Sequence, residues 1–243
     1  MYTILIKELQ GFFSSLSGYI VILVFLLANG LFFWVFPGEM NILDTGYANL
    51  NTLFEMAPWI FLFLVPAVCM RLFADERRSG TMELLLTRPV SDFHIVCAKY
   101  LSALLVVLFS LLPTLIYLLS VYYLGSPNGS VDLGATWGSY IGLFLLGAVY
   151  SAIGVFASSF TENQVVAFLL ALVLCFIFYV GFDYVSELEG VRGIQNQLIL
   201  CGIQEHYRSI SRGILDSRDV VYFFSVISVF LLLCQTVLKS RKW

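Results

Sequence analysis

Long runs without a charged residue dominate the pattern of hydrophobic and polar positions along this chain. An α-helix of about 20 apolar residues crosses a hydrocarbon core of about 30 Å and bonds its backbone groups internally. Runs of about that length therefore predict membrane-spanning helices. Five runs are long enough, and they cover residues 9–38, 100–124, 133–161, 163–182 and 220–238.

A sixth, shorter run covers residues 56–70 and lengthens to residue 74 if the Arg71 guanidinium reaches the membrane interface. A charge there costs far less than one at the bilayer centre. We therefore expect an all-α polytopic membrane protein with six transmembrane helices, in a single transmembrane domain over residues 1–243. The expected spans are residues 19–36, 56–74, 100–124, 137–160, 163–182 and 220–238.

Residues 1–18 carry apolar side chains at helical spacing and polar side chains elsewhere on the helix. This pattern predicts an interfacial helix that lies on the membrane surface ahead of the first span. A cleavable signal peptide fits less well, because Lys7 is paired with Glu8 and the apolar run that follows is too long.

Composition supports the membrane assignment. The chain is 60% hydrophobic and 12% charged, with a mean hydropathy of +0.90. Soluble globular domains are roughly 45–50% apolar and about 25% charged. A soluble fold therefore has too little polar surface to cover this much apolar material.

The distribution of Lys and Arg predicts the orientation, since these residues accumulate on the cytoplasmic side. With the N-terminus inside, nine of the 13 Lys and Arg residues lie on the inner side, and the loops 37–55 and 125–132 have none. Both termini are then cytoplasmic. The segment 183–219 is the exception, because alternation places it outside although it contains four arginines, so an odd number of spans stays open.

Polar side chains within the spans are uncharged, and Pro58, Pro66 and Pro113 lie in or beside them. We expect the prolines to kink the helices and the polar side chains to hydrogen-bond between helices. The candidates for such bonds are Asn29, Ser102, Ser110, Thr114, Ser120, Ser151 and Gln235.

Motifs for catalysis and nucleotide binding are missing from the sequence. It has no GxxxxGK[ST] phosphate loop, no HExxH and no GxSxG, and its five cysteines are scattered singly. The two histidines, His94 and His206, lie on opposite sides of the membrane in this topology. We therefore expect no catalytic residue, no metal site and no cofactor on this chain, which disfavours an intramembrane enzyme.

Residues 75–91 form the inner connection between the second and third spans, and we call them the connector. Gly80 is expected to end the second span, residues 81–87 to form a helix, Pro89 to stop it and Ser91 to cap the next helix. Three consecutive leucines, 84 to 86, give this helix an apolar surface. They either pack back on the membrane or the N-terminal helix, or dock a cytoplasmic partner.

The connector also carries a family resemblance. Its sequence resembles the signature between the second and third spans of ABC-2 type transporter permeases. The residues that carry this resemblance are Glu76, Gly80, Thr81, Glu83, Leu84, Leu85, Leu86 and Pro89, together with the following Lys99. Over essentially the whole chain, stretches such as APWIFLFLVPAVCMRLFADERRSGTMELLLTRP resemble the GldF-type permeases associated with gliding motility.

The resemblance implies a permease half in a bacterial inner membrane, with the helix at residues 81–87 as the coupling helix. A separate cytoplasmic ABC ATPase, GldA-like, is the implied partner that holds ATP and Mg²⁺. A second membrane subunit, GldG-like, or a second copy of the chain would complete the complex. The alternative function is a membrane anchor that transmits ATPase-driven motion to an envelope or motility assembly without moving a solute. Nucleic acid is not an expected partner.

The outer segment 183–219 is too polar to span the membrane. The resemblance implies short re-entrant or interfacial helices there. Its charged residues are either a solvated face or a contact for a partner outside the membrane. The residues proposed for that contact are Glu205, His206, Arg208 and Arg212.

Overall fold

A computed structural model describes residues 1–82, 91–126, 129–188, 193–214 and 216–240. Within this part of the chain the regular structure is helical, and six helices are long and apolar enough to cross a membrane. The predicted all-α class with six spans is therefore confirmed. We number them span one to span six: Gly18–Val35, Asn51–Arg78, Asp92–Leu124, Leu133–Phe160, Gln164–Ser186 and Ser217–Ser240.

Several helices extend beyond the apolar windows that the sequence marks. Span two begins at Asn51 and span three at Asp92, both earlier than the expected residues 56 and 100. Hydropathy detects the part of a helix that lies in hydrocarbon, whereas the helix itself continues through polar residues at the interface. The extra turns of span three lie next to the connector, whereas those at the start of span two lie at the opposite end of that span.

Shorter helices complete the chain. The N-terminal helix is Tyr2–Phe13, and it ends before a turn at Ser14 and Ser15 that leads into span one. A short helix, Ile42–Thr45, lies in the first outer loop. The outer segment contains helices Gln195–Ile199 and Ile203–Ser211, and we call the second of these the outer helix.

Span four is the centre of the bundle. In its most apolar stretch 83% of the residues are buried, against 22–56% in the other spans. Close packing depends on its glycines: a β-carbon at Gly147 would lie 2.6 Å from Val107 Cγ1 of span three, and one at Gly154 would lie 2.6 Å from Cys69 Cβ of span two. Small residues at such positions let helix backbones approach each other in a membrane.

The helices are interrupted at several points. Span two divides into Asn51–Cys69 and Arg71–Arg78, and span three passes through a 3₁₀ turn at Leu112–Thr114, where Pro113 lies. Spans one and five widen into π-helical turns at Leu31–Val35 and Ile177–Gly181, which the sequence pattern did not predict.

Pro58 lies inside a continuous helix, and its effect is compensated from outside that helix. Because proline lacks an N–H group, it cannot donate to the carbonyl four residues earlier, which belongs to Phe54. The hydroxyl of Tyr207 on the outer helix donates to that carbonyl over 2.6 Å. The proline therefore creates the acceptor that fixes the outer helix to span two.

The expectation of hydrogen bonds between helices was wrong for all four candidate serines. Ser102, Ser110, Ser120 and Ser151 donate to carbonyls three or four residues earlier in their own helices. This back-bonding satisfies a hydroxyl locally when no partner faces it. Thr114 is different, because its hydroxyl lies 3.2 Å from the Tyr140 hydroxyl of span four.

Replacing Gly154 with alanine should destabilise the bundle, since the new methyl group would press against the Cys69 side chain and separate spans two and four. Overpacking of this kind typically costs about 1–3 kcal/mol. Thermal unfolding of the purified protein in detergent would measure the loss. Gly134→Ala is the matched control in the same helix, because its β-carbon would meet its nearest neighbour, Asp132 Oδ1, at an ordinary 3.4 Å. Equal stability of the two variants would contradict the close packing.

Candidate coupling site

Four charged side chains meet where the N-terminal helix and the inner ends of spans two and three come together. The ammonium of Lys99, on span three, lies 2.8 Å from Glu8 Oε1 and 2.9 Å from Glu76 Oε2. Glu8 belongs to the N-terminal helix, and Glu76 lies near the end of span two. Lys7 completes the group, with its Nζ 2.8 Å from Glu76 Oε1. We call these four residues the inner charge cluster.

Lys99 is the buried centre of the cluster, with no exposed side-chain surface. Its ammonium also donates to the carbonyl oxygen of Leu72 and lies 5.0 Å from the centre of the Phe73 ring. The sequence predicted that Lys99 lies where span three leaves the membrane and that the cores of the spans carry no charge. Lys99 instead lies inside the protein, because two carboxylates and a carbonyl replace the water that its ammonium has lost.

Lys7 is the solvent-facing member of the cluster, with 64% of its side chain exposed. Its hydrogen bond to Glu76 raises the pKa of the ammonium above the usual value. Lys7 is charged at neutral pH in any case, and the raised pKa means that its ion pair contributes stability until the pH rises through that pKa. Two lysines and two carboxylates make the cluster electrically neutral, which limits the cost of burying it.

A serine of span four holds the same end of span two from the other side. The Ser158 hydroxyl donates to the Met70 carbonyl over 3.1 Å, and it accepts from the backbone amides of Phe73 and Ala74 at 2.9 and 3.3 Å. Insertion of a side chain into a helical ladder breaks the helix at that point. Span two is therefore interrupted at Met70, and its last part, Arg71–Arg78, lies between Ser158 and Lys99.

Span two ends as the sequence predicts. Gly80 has a left-handed backbone, with φ of 70°, and its N–H donates to the Arg77 carbonyl over 3.1 Å. Glycine adopts this conformation without a steric cost, and it commonly terminates helices in this way. Thr81, also in the connector, donates its hydroxyl to the Glu76 carbonyl over 3.3 Å.

Only part of the predicted connector can be placed. Thr81 and Met82 are helical, whereas Glu83, Leu84, Leu85, Leu86 and Pro89 lie outside the described residues. Ser91 occupies the position before span three, as expected for a cap. Its hydroxyl, however, bonds to the His94 imidazole and not to a backbone amide of the helix.

The arrangement links the connector to the rest of the protein at both ends. Glu76 precedes the connector's unplaced part by seven residues, and Lys99 follows it by nine. A displacement of either end would separate Lys99 from Glu8 and Glu76, or it would move the N-terminal helix together with that end. The cluster also has a purely structural interpretation, in which it only fixes three helices to one another.

The outer site proposed from the sequence divides into two parts. His206 is bound within the chain: Nδ1 lies 2.6 Å from Asp219 Oδ1, Nε2 lies 3.0 Å from the Leu200 carbonyl, and the ring stacks on Tyr222. Glu205 and Arg208 are exposed on the outer helix, and Arg212, directly after it, is exposed as well. Contact of these residues with a partner stays a prediction.

Sequence reasoning missed Glu8 and Ser158, which both act on the connector's flanks. Ser158 was missed because it is one of several serines in a helix rich in small residues. Glu8 was missed because it was interpreted as the local partner of Lys7. A lysine next to an apolar run was the available signal, since a buried ammonium requires acidic partners. No group of three or more potential metal ligands occurs among the described residues.

A family model described as ABC-2 family transporter protein matches residues 2–243 of the chain. No curated protein matches the sequence.

Replacing Lys99 with methionine should cost about 3–5 kcal/mol of stability, because Glu8 and Glu76 would keep their negative charges without a buried partner. Thermal unfolding in detergent would measure this loss. Lys7→Met is the matched control, since that lysine is largely exposed and its ion pair is worth no more than about 1 kcal/mol.

A neutral double variant, Lys99→Met with Glu8→Gln, should recover much of that stability, because the remaining carboxylate, Glu76, keeps its ion pair with Lys7. A Lys99→Met protein as stable as Lys7→Met would contradict the buried ion pairs.

Proposed function

The chain belongs to the ABC-2 family of transporter proteins, which are membrane permease subunits that work with an ABC ATPase, and we propose that it is a GldF-type permease driven through its connector. In this proposal a separate cytoplasmic ATPase binds ATP and Mg²⁺, and this chain carries neither a catalytic residue nor a cofactor. The absence of a phosphate-loop motif from the sequence supports that division of labour.

The inner charge cluster is the observation that carries the proposal. A transmitting segment has to be joined firmly to the helices that it moves, and Glu76 and Lys99 join the connector's flanks to each other. Ser158 extends the linkage from span two to the central span four. A force applied to the connector would therefore reach spans two, three and four together. The docking surface itself is assigned to Glu83 and the leucines at 84 to 86.

The finer assignment rests on resemblance to the GldF-type permeases. It makes the chain part of a gliding-motility complex in a bacterial inner membrane, with a GldA-like ATPase and a GldG-like second membrane subunit, or a second copy of the chain. The alternative is a membrane anchor that passes ATPase-driven motion to an assembly outside without moving a solute. A structure of the whole complex distinguishes the two, because transport requires a continuous cavity between the membrane subunits.

Orientation can be tested with the native cysteines. Cys201, in the outer segment, is exposed and Cys97, in span three, is half-buried, whereas Cys69, Cys175 and Cys234 are buried. A membrane-impermeant maleimide applied from the periplasmic side should label Cys201, and Cys97 should react only after the inner side is opened. Mass spectrometry would locate the label, with Cys201→Ser as the control. Labelling of Cys97 first would reverse the proposed orientation.

Coupling can be tested at the leucines. Combining Leu84→Ala with Leu85→Ala should weaken copurification of the ATPase by tens of fold, since interface energy is concentrated in a few buried apolar anchors. Thermal stability is measured on the same protein. The Glu83→Ala protein should bind the ATPase more strongly than the double variant does. Hydrolysis by the ATPase should nevertheless be uncoupled from the permease, because a charge at the rim of an interface contributes more to orientation than to affinity.

Two results would contradict this assignment. If the leucines only pack within the chain, the double variant loses stability while docking of the folded fraction is undiminished. ATP hydrolysis by the purified chain alone would contradict the permease proposal itself.

A further inference from the structure

A cavity of about 760 Å³ opens beside the outer helix. Its walls come from the first turns of span two, the π-helical turn of span five and the outer helix. None of the residues of the inner charge cluster contributes to it. The cavity lies at the opposite end of span two from the connector, so it has no part in the proposed coupling.

The lining of the cavity changes from charged to aromatic along span two. The charged end of the cavity is lined by three exposed side chains. They belong to Arg208 on the outer helix, Arg212 directly after it and Glu55 on span two. Trp59 follows Asn51, the first residue of span two, by eight residues, which corresponds to a depth of about 12 Å along the helix. Its ring lies 5.7 Å from that of Tyr179, at an angle of 88°. Charge at the surface and aromatic rings below match the profile of a membrane interface.

The wall formed by the outer helix is firmly held. Tyr207 donates to the Phe54 carbonyl over 2.6 Å, and the hydroxyl of Ser139, on span four, donates to the Ser211 carbonyl over 2.8 Å. Arg208 lies in the last turn of this helix, and Arg212 directly follows its last residue, Ser211. Both arginines line the cavity from this wall.

We propose that this cavity binds the phosphate headgroup of an anionic lipid, taken from the leaflet next to the outer helix. Arginine binds phosphate oxygens with paired, charge-assisted hydrogen bonds. Two guanidinium groups and the Glu55 carboxylate give the lining a net charge of +1, which favours an anionic headgroup over a zwitterionic one. The acyl chains would extend along Trp59, whose side chain is 42% exposed.

Arg212 is the more specific of the two arginines for this site. Arg208 also borders a neighbouring recess lined by Asp183, Glu187 and Glu205, so its charge is shared between two surroundings. Arg212 does not line that recess. We therefore expect the single change Arg212→Gln to act on the lipid site with little effect elsewhere.

Binding can be measured with the full-length chain in an uncharged detergent, titrated with phosphatidylglycerol that carries brominated acyl chains. Bromine quenches tryptophan fluorescence on contact, and the excess quenching over brominated phosphatidylcholine reports the site. Trp59→Phe should abolish that excess. Arg212→Gln should weaken phosphatidylglycerol binding by about tenfold, and the double change with Arg208→Gln should weaken it further, in the range expected for lost charged hydrogen bonds. Arg218→Gln, an exposed arginine outside the cavity lining, is the matched control and should bind normally.

Glu55→Gln tests the sign of the headgroup charge. Removing this carboxylate should strengthen phosphatidylglycerol binding by about threefold, the size of one charge interaction across several ångströms of water. Weaker phosphatidylglycerol binding would show that the carboxylate does not repel the headgroup, and it would overturn the proposal.

Three other results would overturn it. Equal quenching by the two lipids would remove the preference for an anionic headgroup. Complete displacement of the lipid by inorganic phosphate at the same concentration would make the site one for free phosphate. Dependence of a copurifying outer protein on Arg208 and Arg212, without any excess lipid quenching, would make the surface a protein contact.

Discussion

A backbone amide or carbonyl inside a membrane must find its hydrogen-bond partner within the protein, since hydrocarbon offers none. This constraint decides how the present bundle is assembled. Where span two loses its helical ladder, side chains from other helices complete it: the Tyr207 hydroxyl binds the carbonyl that Pro58 leaves open, and Ser158 binds the groups around the break at Met70. Both of these irregularities of span two are therefore also attachment points for another element.

These attachments differ between the two ends of span two. At the outer end the ties to the outer helix are neutral hydrogen bonds at the carbonyls of Phe54 and Ser211. At the inner end Lys99 and two carboxylates join three helices through charge. Span four contributes to both, through Ser139 outside and Ser158 inside. Spans two and four therefore connect the inner end of the bundle to the outer helix.

The sequence predicted the parts of this structure that depend on local chemistry. Hydropathy runs predicted six spans and the all-α class, and Gly80 predicted the end of span two, because one residue's backbone freedom sufficed. The buried role of Lys99 and the contribution of Ser158 were missed because they depend on which helix faces meet. Their bonds to Glu8 and Phe73 span 91 and 85 residues of sequence. The π-helical turn at Ile177–Gly181 contains no proline, so no residue in it indicated an irregular helix. Contacts between separate elements also explain the error at His206. The sequence predicted an outward contact there, whereas Asp219 and Leu200 bind the imidazole within the chain.

Stability alone is a weak reason for a buried lysine at the connector. Replacing a buried ion pair with apolar residues of similar size is often neutral or stabilising, whereas removing one partner is costly. Such a cluster contributes little net stability, yet it strongly opposes any movement that separates Lys99 from Glu8 or Glu76. Its position between the N-terminal helix and both flanks of the connector makes these three elements move as one body. A hydrophobic contact would tolerate sliding, since it has no preferred direction. The charges therefore resist local displacement where the connector meets the bundle, as the proposed coupling requires.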